Sequence, residues 1–167
     1  MKNFVRKFVA LFFLILLPSC SCSKSYSWGA EEKKSDVVVI NVLSKQLYDD
    51  CHIKGSLNVP FMDEENPDIS PIEKFTKDLD KETKIVVYCS NYMCTASGEI
   101  AKKLSEMGFE NVWAYEAGMA EWYQENLPVE GTCNQKYLAK KLEKPVNESH
   151  EGFKEITTTE LKKLLDL

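Results

Sequence analysis

Residues 85–104 read IVVYCSNYMCTASGEIAKKL, and this stretch decides the fold. The first four residues form a continuous apolar run, which is typical of a parallel strand buried on both faces. From residue 95 to residue 107 the apolar positions recur at helical spacing, and Gly108 is suited to end that helix. A buried strand that leads through a short loop into a helix indicates an α/β domain.

The chain on both sides of this unit continues the alternation. Residues 37–40 and 112–115 predict two further buried strands. One helix is predicted to start with Ser70 as its N-cap and Pro71 as its first residue, and another spans 119–126. Because parallel strands joined by helices need right-handed crossovers, this order predicts a parallel sheet covered by helices.

The N-terminus has the pattern of a secretory signal peptide in residues 1–19, with a basic start and a short apolar core. The apolar run 8–17 spans only about 15 Å as a helix, which is too short for a stable transmembrane helix. The tetrapeptide LPSC at its end resembles a bacterial lipobox and predicts lipidation of Cys20. Cleavage without lipidation is the alternative. Residues 20–36 then predict a polar tether.

Either form of processing places the protein outside the cytoplasm, and lipidation anchors it in the bacterial cell envelope, facing the periplasm or the exterior. The chain carries a formal net charge of −5, and the N-terminal 19 residues contain basic but no acidic side chains. The remaining acidic body argues against a nucleic-acid partner. Arg6 is the only arginine in the chain, so the processed protein would have none.

The predicted strand 85–88 ends at Cys89, and ligand sites in parallel sheets lie at the carboxyl ends of strands. Backbone N–H groups of the following loop and the helix dipole are expected to lower the pKa of this thiol and favour the nucleophilic thiolate. A buried structural cysteine is the alternative interpretation.

These residues, together with three further motifs, resemble the rhodanese-like (sulfurtransferase) family. The resemblance implies a twisted parallel sheet with helices on both faces, and a persulfide intermediate on Cys89. The matching stretches are 50–60, similar to the family's HIxGAxNxP motif; 86–89, similar to its active-site strand; 116–122, similar to its GGxxxW turn; and 127–129, similar to its exit. They place the rhodanese-like domain at residues 37–130.

The sequence departs from the family pattern where anions would bind. Family members often carry Asp-x-Arg at the end of the first strand, where this chain has residues 41–43, NVL. The loop arginine five residues after the cysteine is replaced by Cys94, which Thr95 follows. Without a guanidinium to bind a sulfonate, thiosulfate is expected to bind poorly, and phosphatase chemistry is rejected for the same reason.

Cys89 and Cys94 bracket one tight loop. Cys94 could attack a Cys89 persulfide and release sulfide, the pair could cycle between dithiol and disulfide, or Cys94 could simply pack under the loop. Backbone N–H groups of the loop are predicted to bind the substrate, and two side chains at its tip to make the entrance apolar. The predicted substrate-binding residues are Ser90, Asn91, Tyr92, Met93 and Thr95, and the two tip residues are Tyr92 and Met93.

The sequence therefore predicts a membrane-anchored, extracytoplasmic rhodanese-like protein. Its partner would be a small sulfur-containing substrate or a protein that bears a thiol. A thiol–disulfide redox module and a non-catalytic binding domain are the alternatives. No cofactor and no metal site are predicted, because no second Cys pair or His has zinc-ligand spacing. His52 is interpreted as structural, and Cys51 and Cys133 could form a disulfide whose connectivity the sequence leaves open.

The C-terminal extension, residues 131–167, carries a lysine-rich helix candidate at 134–142, a strand at 153–156 and a helix at 158–167. The last two resemble the strand and helix with which rhodanese-like domains usually begin. We expect a circular permutation, in which 153–156 is an edge strand and the helix, capped by Thr158 or Thr159, docks on the sheet. A free amphipathic tail and a truncated second domain are the alternatives.

Overall fold

The computed structural model of the protein describes residues 36–61, 68–145 and 152–167. The predicted signal peptide, the lipid acceptor Cys20 and the tether up to residue 35 lie outside the described residues. Among the helices that are described, none is both long enough and apolar enough to cross a bilayer.

The described residues alternate between strands and helices. The strands are β1 Val37–Asn41, β2 Cys51–Ile53, β3 Leu57–Asn58, β4 Lys84–Tyr88, β5 Asn111–Tyr115, β6 Val129–Gly131 and β7 Lys154–Glu155. The helices are α1 Lys45–Asp50, α2 Ser70–Thr76, α3 Ala96–Glu106, α4 Gly118–Gln124 and α5 Thr158–Leu164, with a 3₁₀ helix at Lys136–Ala139.

Five of the strands form one sheet in the order β3-β1-β4-β5-β7, and every pair in it is parallel. Strand β4 lies in the middle, and its residues 85–88 are completely buried. Strands β2 and β6 form a separate antiparallel pair. The predicted parallel α/β sheet is confirmed.

Two apolar cores lie on opposite faces of the sheet, because successive side chains of a strand point to opposite sides. Helices α2 and α3 cover one face, where Ile85 and Val87 pack with Ile100 and Leu104. Helices α4 and α5 cover the other face, with a core of Val86, Tyr88, Met119, Trp122 and Leu161. The prediction of helices on both faces is confirmed.

The C-terminal strand and helix complete this architecture. Strand β7 pairs in parallel with β5 and forms one edge of the sheet. Ile156, just after β7, and Leu161, within α5, are both buried in the core on this face of the sheet. The chain end is therefore packed on the domain, as the circular permutation predicts, and the free-tail alternative is wrong.

Two predicted N-caps are displaced by one residue. Helix α2 begins at Ser70 rather than after it, because the Asp68 carboxylate accepts the Ser70 N–H at 3.0 Å and draws that residue into the first turn. Helix α5 is capped by Thr157, not by Thr158 or Thr159. The reason is that Glu160 stands three residues after Thr157, and the two form a reciprocal capping box.

The α-helix predicted at 134–142 is wrong, since only the 3₁₀ turn Lys136–Ala139 is present. Contacts from outside the segment satisfy its backbone instead. The Asp50 carboxylate accepts the Asn134 and Gln135 N–H groups, and the Gln124 side-chain amide donates to the Leu138 carbonyl at 2.8 Å. We call residues 134–142 the strap, because this segment crosses α4 and is hydrogen-bonded to Asp50 and Gln124.

A disulfide between Cys51 and Cys133 settles the pairing that the sequence left open. It joins β2 to the start of the strap across a sequence separation of 82 residues. Closing a loop of that length stabilises the fold by about 4 to 5 kcal/mol on chain-entropy grounds. Next to it, His52 Nδ1 lies 2.8 Å from the Tyr48 carbonyl oxygen and the ring stacks on Tyr48, in agreement with a structural role.

Docking of α5 predicts an asymmetry between two leucines near the chain end. Leu161→Ala should lower the free energy of unfolding by about 2 to 5 kcal/mol, because the side chain is fully buried and its removal leaves a cavity. Leu167→Ala, at a side chain that is 56% exposed, should change it by less than about 0.5 kcal/mol. Denaturant unfolding followed by circular dichroism measures both. Equal, small effects would mean that α5 is not part of the core.

Candidate active site

The candidate site is the loop between β4 and α3. Cys89 follows the last residue of the central strand, and Cys94 immediately precedes Thr95, the N-cap of α3. Asn91 shapes the loop, because its carbonyl oxygen accepts the Cys94 N–H and its side-chain Oδ1 accepts the Met93 N–H, both at 3.0 Å. Such a local turn places both cysteines at the carboxyl end of the sheet.

The two cysteines of this loop are both free thiols. Cys89 is completely buried, whereas Cys94 is partly exposed. The Cys89 thiol donates a hydrogen bond to the Cys94 carbonyl oxygen at 3.2 Å, and its sulfur lies 3.6 Å from Ser97 Oγ.

The two thiols differ in acidity. Burial raises the pKa of Cys89 well above its ordinary value, and the adjacent Cys94 raises it further. The hydrogen bond from Cys89 lowers the pKa of Cys94 to about 6, with help from the backbone N–H groups of Ala96 and Ser90 and against the effect of burial. Near neutral pH the pair therefore holds one proton and one negative charge, and the charge lies on Cys94.

The expectation that the loop lowers the pKa of Cys89 is thus wrong. Cys89 is completely buried, and burial disfavours its thiolate. Cys94 lies at the N-terminus of α3, close to the backbone N–H groups of Ser90 and Ala96. The residue whose thiolate these donors stabilise is Cys94.

The five other loop residues singled out by sequence lie in different surroundings. Only Ser90 joins the thiol pair, through its N–H and hydroxyl beside Cys94. Of the other four, Asn91 is buried in the turn and Met93 is 72% exposed. The Tyr92 hydroxyl donates to Glu121 Oε2 of α4 at 3.0 Å. The Thr95 hydroxyl donates to Glu99 Oε1 of α3 at 2.7 Å.

Ser97 is a site residue that sequence reasoning missed. It is completely buried in the first turn of α3, beside the Cys89 sulfur. It shares a helix face with Ile100, Ala101 and Leu104, which are all buried. A polar residue on an otherwise apolar helical stripe is the signal that could have identified it.

The N-terminus of α4 holds the loop from the other side of the strand. Met119 N–H donates to the Cys89 carbonyl oxygen at 3.0 Å, and Ala120 N–H donates to the Ser90 carbonyl oxygen at 2.9 Å. Gly118 permits this approach: its φ is +61°, and a Cβ there would lie 2.7 Å from the Cys89 carbonyl oxygen. This close contact and the positive φ explain why the 116–122 motif has a glycine at position 118.

The charges around the loop are mainly carboxylates and lysines. Burial, the Glu121 hydrogen bond and nearby carboxylates raise the pKa of Tyr92, so its phenol stays protonated. Lys140 and Lys141 of the strap line a groove shared with Asn91 and Tyr92. In the part of the chain that the structure describes, no group of three or more His, Cys, Asp or Glu side chains is placed to hold a metal ion.

Comparisons with known proteins agree with this architecture. A family model described as a rhodanese-like domain matches residues 27–125. Thiosulfate sulfurtransferase GlpE from Coxiella burnetii is 28% identical over 90 residues, covering 54% of this chain and 75% of that protein. An uncharacterized protein from Buchnera aphidicola is 26% identical, covering 76% and 87%.

Among solved structures, the chain is similar to the rhodanese-like domain of the Alr3790 protein from Anabaena, determined by solution NMR. The TM-score is 0.50 at 22% identity, and the match covers 70% of this chain and 81% of that one. At this identity the likeness supports the fold.

The acidity of Cys94 predicts a distinctive pH profile. Alkylation of Cys94 by iodoacetamide should rise with pH and reach half its maximum rate near the pKa of about 6, because only the thiolate reacts. In Cys89→Ala the hydrogen-bond donor is lost, and the midpoint should move up toward the ordinary thiol pKa of about 8.5. Peptide mapping by mass spectrometry assigns the adduct. A wild-type midpoint above pH 8 would contradict the charge distribution described for the pair.

Proposed function

The chain belongs to the rhodanese-like domain family, and from this premise we propose that it is a sulfurtransferase in which Cys89 carries sulfur as a persulfide. The observation that carries the proposal is the pair of free thiols in one loop at the carboxyl end of the central strand, Cys89 buried and Cys94 partly exposed. Such a pair supplies both a nucleophile and a base within one loop.

In the first half-reaction the Cys94 thiolate takes the proton of Cys89. The Cys89 thiolate attacks the outer sulfur of a persulfide donor, R–S–SH. The sulfur–sulfur bond of the donor breaks, and the electron pair leaves with R–S⁻, which takes up the proton held by Cys94. Cys89 then carries the outer sulfur as Cys89–S–SH. Ser97 Oγ, 3.6 Å from Cys89 Sγ, is placed to stabilise the developing anion.

The persulfide has two exits. An acceptor thiolate can attack the outer sulfur, which restores the Cys89 thiolate. Alternatively, Cys94 attacks the inner sulfur, which forms a Cys89–Cys94 disulfide and expels HS⁻; an external dithiol must then reduce the disulfide. The contact of Cys89 Sγ with Cys94, 3.2 Å to its carbonyl oxygen, supports the second exit.

One observation favours a second candidate function. A partly exposed thiol with a pKa of about 6, five residues after a buried free thiol, is also the arrangement that a thiol–disulfide exchange module needs. In that function Cys94 attacks a disulfide of a partner protein and Cys89 resolves the mixed disulfide. No sulfur atom is carried.

The donor that we propose is a persulfide rather than thiosulfate. The described residues contain no arginine that could bind a sulfonate dianion. The Glu121 carboxylate, which accepts a hydrogen bond from Tyr92 of the loop, adds negative charge beside the site. The Coxiella relative is named a thiosulfate sulfurtransferase, but this chain has Cys94 and Thr95 where a loop arginine would be expected.

Intact mass measurement distinguishes the two functions. After prolonged incubation with a persulfide donor, Cys94→Ser should still gain one sulfur on Cys89. Loss of the Cys94 base slows the attack, but the persulfide that forms is not resolved and therefore accumulates. Cys89→Ser should gain none at the site, and the wild type should lose two hydrogens as the disulfide forms. Thiosulfate at the same concentration should label Cys94→Ser far less. A wild-type protein that forms the disulfide while Cys94→Ser never gains sulfur would identify the redox module instead.

We also propose that the protein acts outside the cytoplasm as a lipoprotein anchored at Cys20. The signal-peptide pattern of residues 1–19 supports this location. The Cys51–Cys133 disulfide gives independent support, since structural disulfides persist mainly in oxidising compartments.

The anchor predicts a difference between two neighbouring cysteines. Cys20→Ala should release the protein from the membrane fraction or leave the precursor uncut, because the acyl chains have no attachment point. Cys22→Ala, two residues further on, is the matched control and should fractionate as the wild type does. Immunoblotting of fractionated cells measures both. If Cys20→Ala is cut at the same site and stays with the membranes, the protein is not anchored through Cys20.

A further inference from the structure

A chain of hydrogen bonds links the active-site loop to the C-terminal helix. Tyr92 of the loop donates its hydroxyl proton to Glu121 Oε2 of α4 at 3.0 Å. The other carboxylate oxygen of Glu121 is hydrogen-bonded to Thr158 Oγ1 of α5, and Thr158 Oγ1 lies 2.8 Å from the Tyr115 hydroxyl of β5. We call these four side chains the loop network.

Proton positions in the loop network follow from the acceptor at its centre. A carboxylate only accepts hydrogen bonds, so Tyr92 and Thr158 both donate to Glu121. Thr158 has a single hydroxyl proton, which leaves Tyr115 as the donor to Thr158. Burial raises the pKa of Tyr115, so that this phenol keeps its proton. The network thus has one consistent direction, with every donor oriented toward Glu121.

The loop network lies where the fold protects it. Tyr115 of β5 is completely buried, Thr158 at the start of α5 is 9% exposed, and the Tyr92–Glu121 hydrogen bond is partly buried. Hydrogen bonds to a charged acceptor in such a setting are stronger and more directional than those at the surface. The network therefore restrains Tyr92 more firmly than an exposed contact would.

A second contact joins the C-terminal unit, defined as residues 153–164 with β7 and α5, to α3, the helix that follows the loop. The Phe153 ring, just before β7, packs against Gly98 of α3 so closely that a Cβ on Gly98 would lie 2.7 Å from it. Gly98 follows Ser97, whose hydroxyl is beside the Cys89 sulfur. The C-terminal unit thus contacts both α3 and α4, the two helices that hold the loop.

We propose that Thr158 and Glu121 are positioning residues for the proposed sulfur chemistry, through which the C-terminal unit holds the loop of residues 90–95 in its reactive geometry. The proposal rests on the proposed function for its role, though not for its geometry. Glu121 anchors Tyr92 in the middle of the loop, and the turn around Asn91 connects Tyr92 rigidly to Cys94. The Cys94 thiolate in turn depends on the N–H groups of Ser90 and Ala96 being held in place.

The test uses the full chain with two disruptive variants, one conservative variant and two matched controls. Tyr92→Phe removes the loop's hydroxyl, and Thr158→Val removes the hydroxyl of α5 at nearly constant volume. Thr158→Ser keeps that hydroxyl. Tyr123→Phe on the exposed side of α4 and Thr159→Val, at the exposed neighbour of Thr158, are the controls.

The primary measurement is the pH midpoint of Cys94 alkylation, which requires no sulfur-transfer activity. Tyr92→Phe and Thr158→Val should each raise the midpoint by about half a pH unit or more, because a loosened loop stabilises the thiolate less well. Thr158→Ser and both controls should stay at the wild-type midpoint. The rate of sulfur transfer from a persulfide donor should fall by about tenfold in the two disruptive variants.

Thermal unfolding separates positioning from stability. If Thr158→Val melts lower but both disruptive variants keep the wild-type pH midpoint, the network is only structural and the proposal is overturned. If Thr158→Val does not fold, the pH midpoint of Cys94 alkylation in Tyr92→Phe alone tests the proposal, because this substitution leaves α5 and the core unchanged. If the variants shift the pH midpoint of Cys94 alkylation but the wild type transfers no sulfur, the positioning role of the network stands and the proposed sulfurtransferase function is wrong.

Discussion

Strand β4 lies at the centre of the sheet with residues 85–88 removed from solvent on both faces. A strand in this position needs a parallel neighbour on each side and a helical layer above and below. Strands β1 and β5 supply the neighbours, α2 and α3 one layer, and α4 and α5 the other. Because β4 is so firmly held, the residue that follows it, Cys89, starts the active-site loop from a rigid point.

The chemistry of the site follows from unequal burial of two thiols five residues apart. Desolvation keeps the proton on Cys89, and the N-terminal N–H groups of α3 keep the charge on Cys94. The described residues contain no arginine, and Cys94 occupies the position where the family resemblance implies an anion-binding arginine. In the proposed function, this difference weakens the attraction for a dianion and supplies a base and a resolving nucleophile.

The described residues of the C-terminal extension, 131–145 and 152–167, belong to the same structural unit. The disulfide fixes the start of the strap at β2, the strap crosses α4, and β7 with α5 closes the sheet edge next to β5. Each of these contacts joins residues far apart in sequence. Through Phe153 and Thr158 the chain end also reaches the helices around the thiols, which connects closure of the fold with the geometry of its site.

Features that rest on local patterns could be predicted from the amino-acid sequence. Apolar runs identified β1, β4 and β5, and helical periodicity placed α3 within one residue at each end. The position after a buried strand pointed to Cys89, and a departure from the family's loop pattern pointed to Cys94. The edge strand and docked helix at the chain end were also predictable, because exposed leucines and an open sheet edge would each be costly.

Features that depend on partners distant in the sequence became visible only in the folded chain. The strap is not an α-helix, because Asp50 and Gln124 bind its backbone from other elements, and the Cys51–Cys133 pairing depends on where β2 and the strap meet. The charge resides on Cys94 rather than on Cys89 because a pKa responds to burial and to donors in space. Neither quantity is encoded in the spacing of residues along the chain.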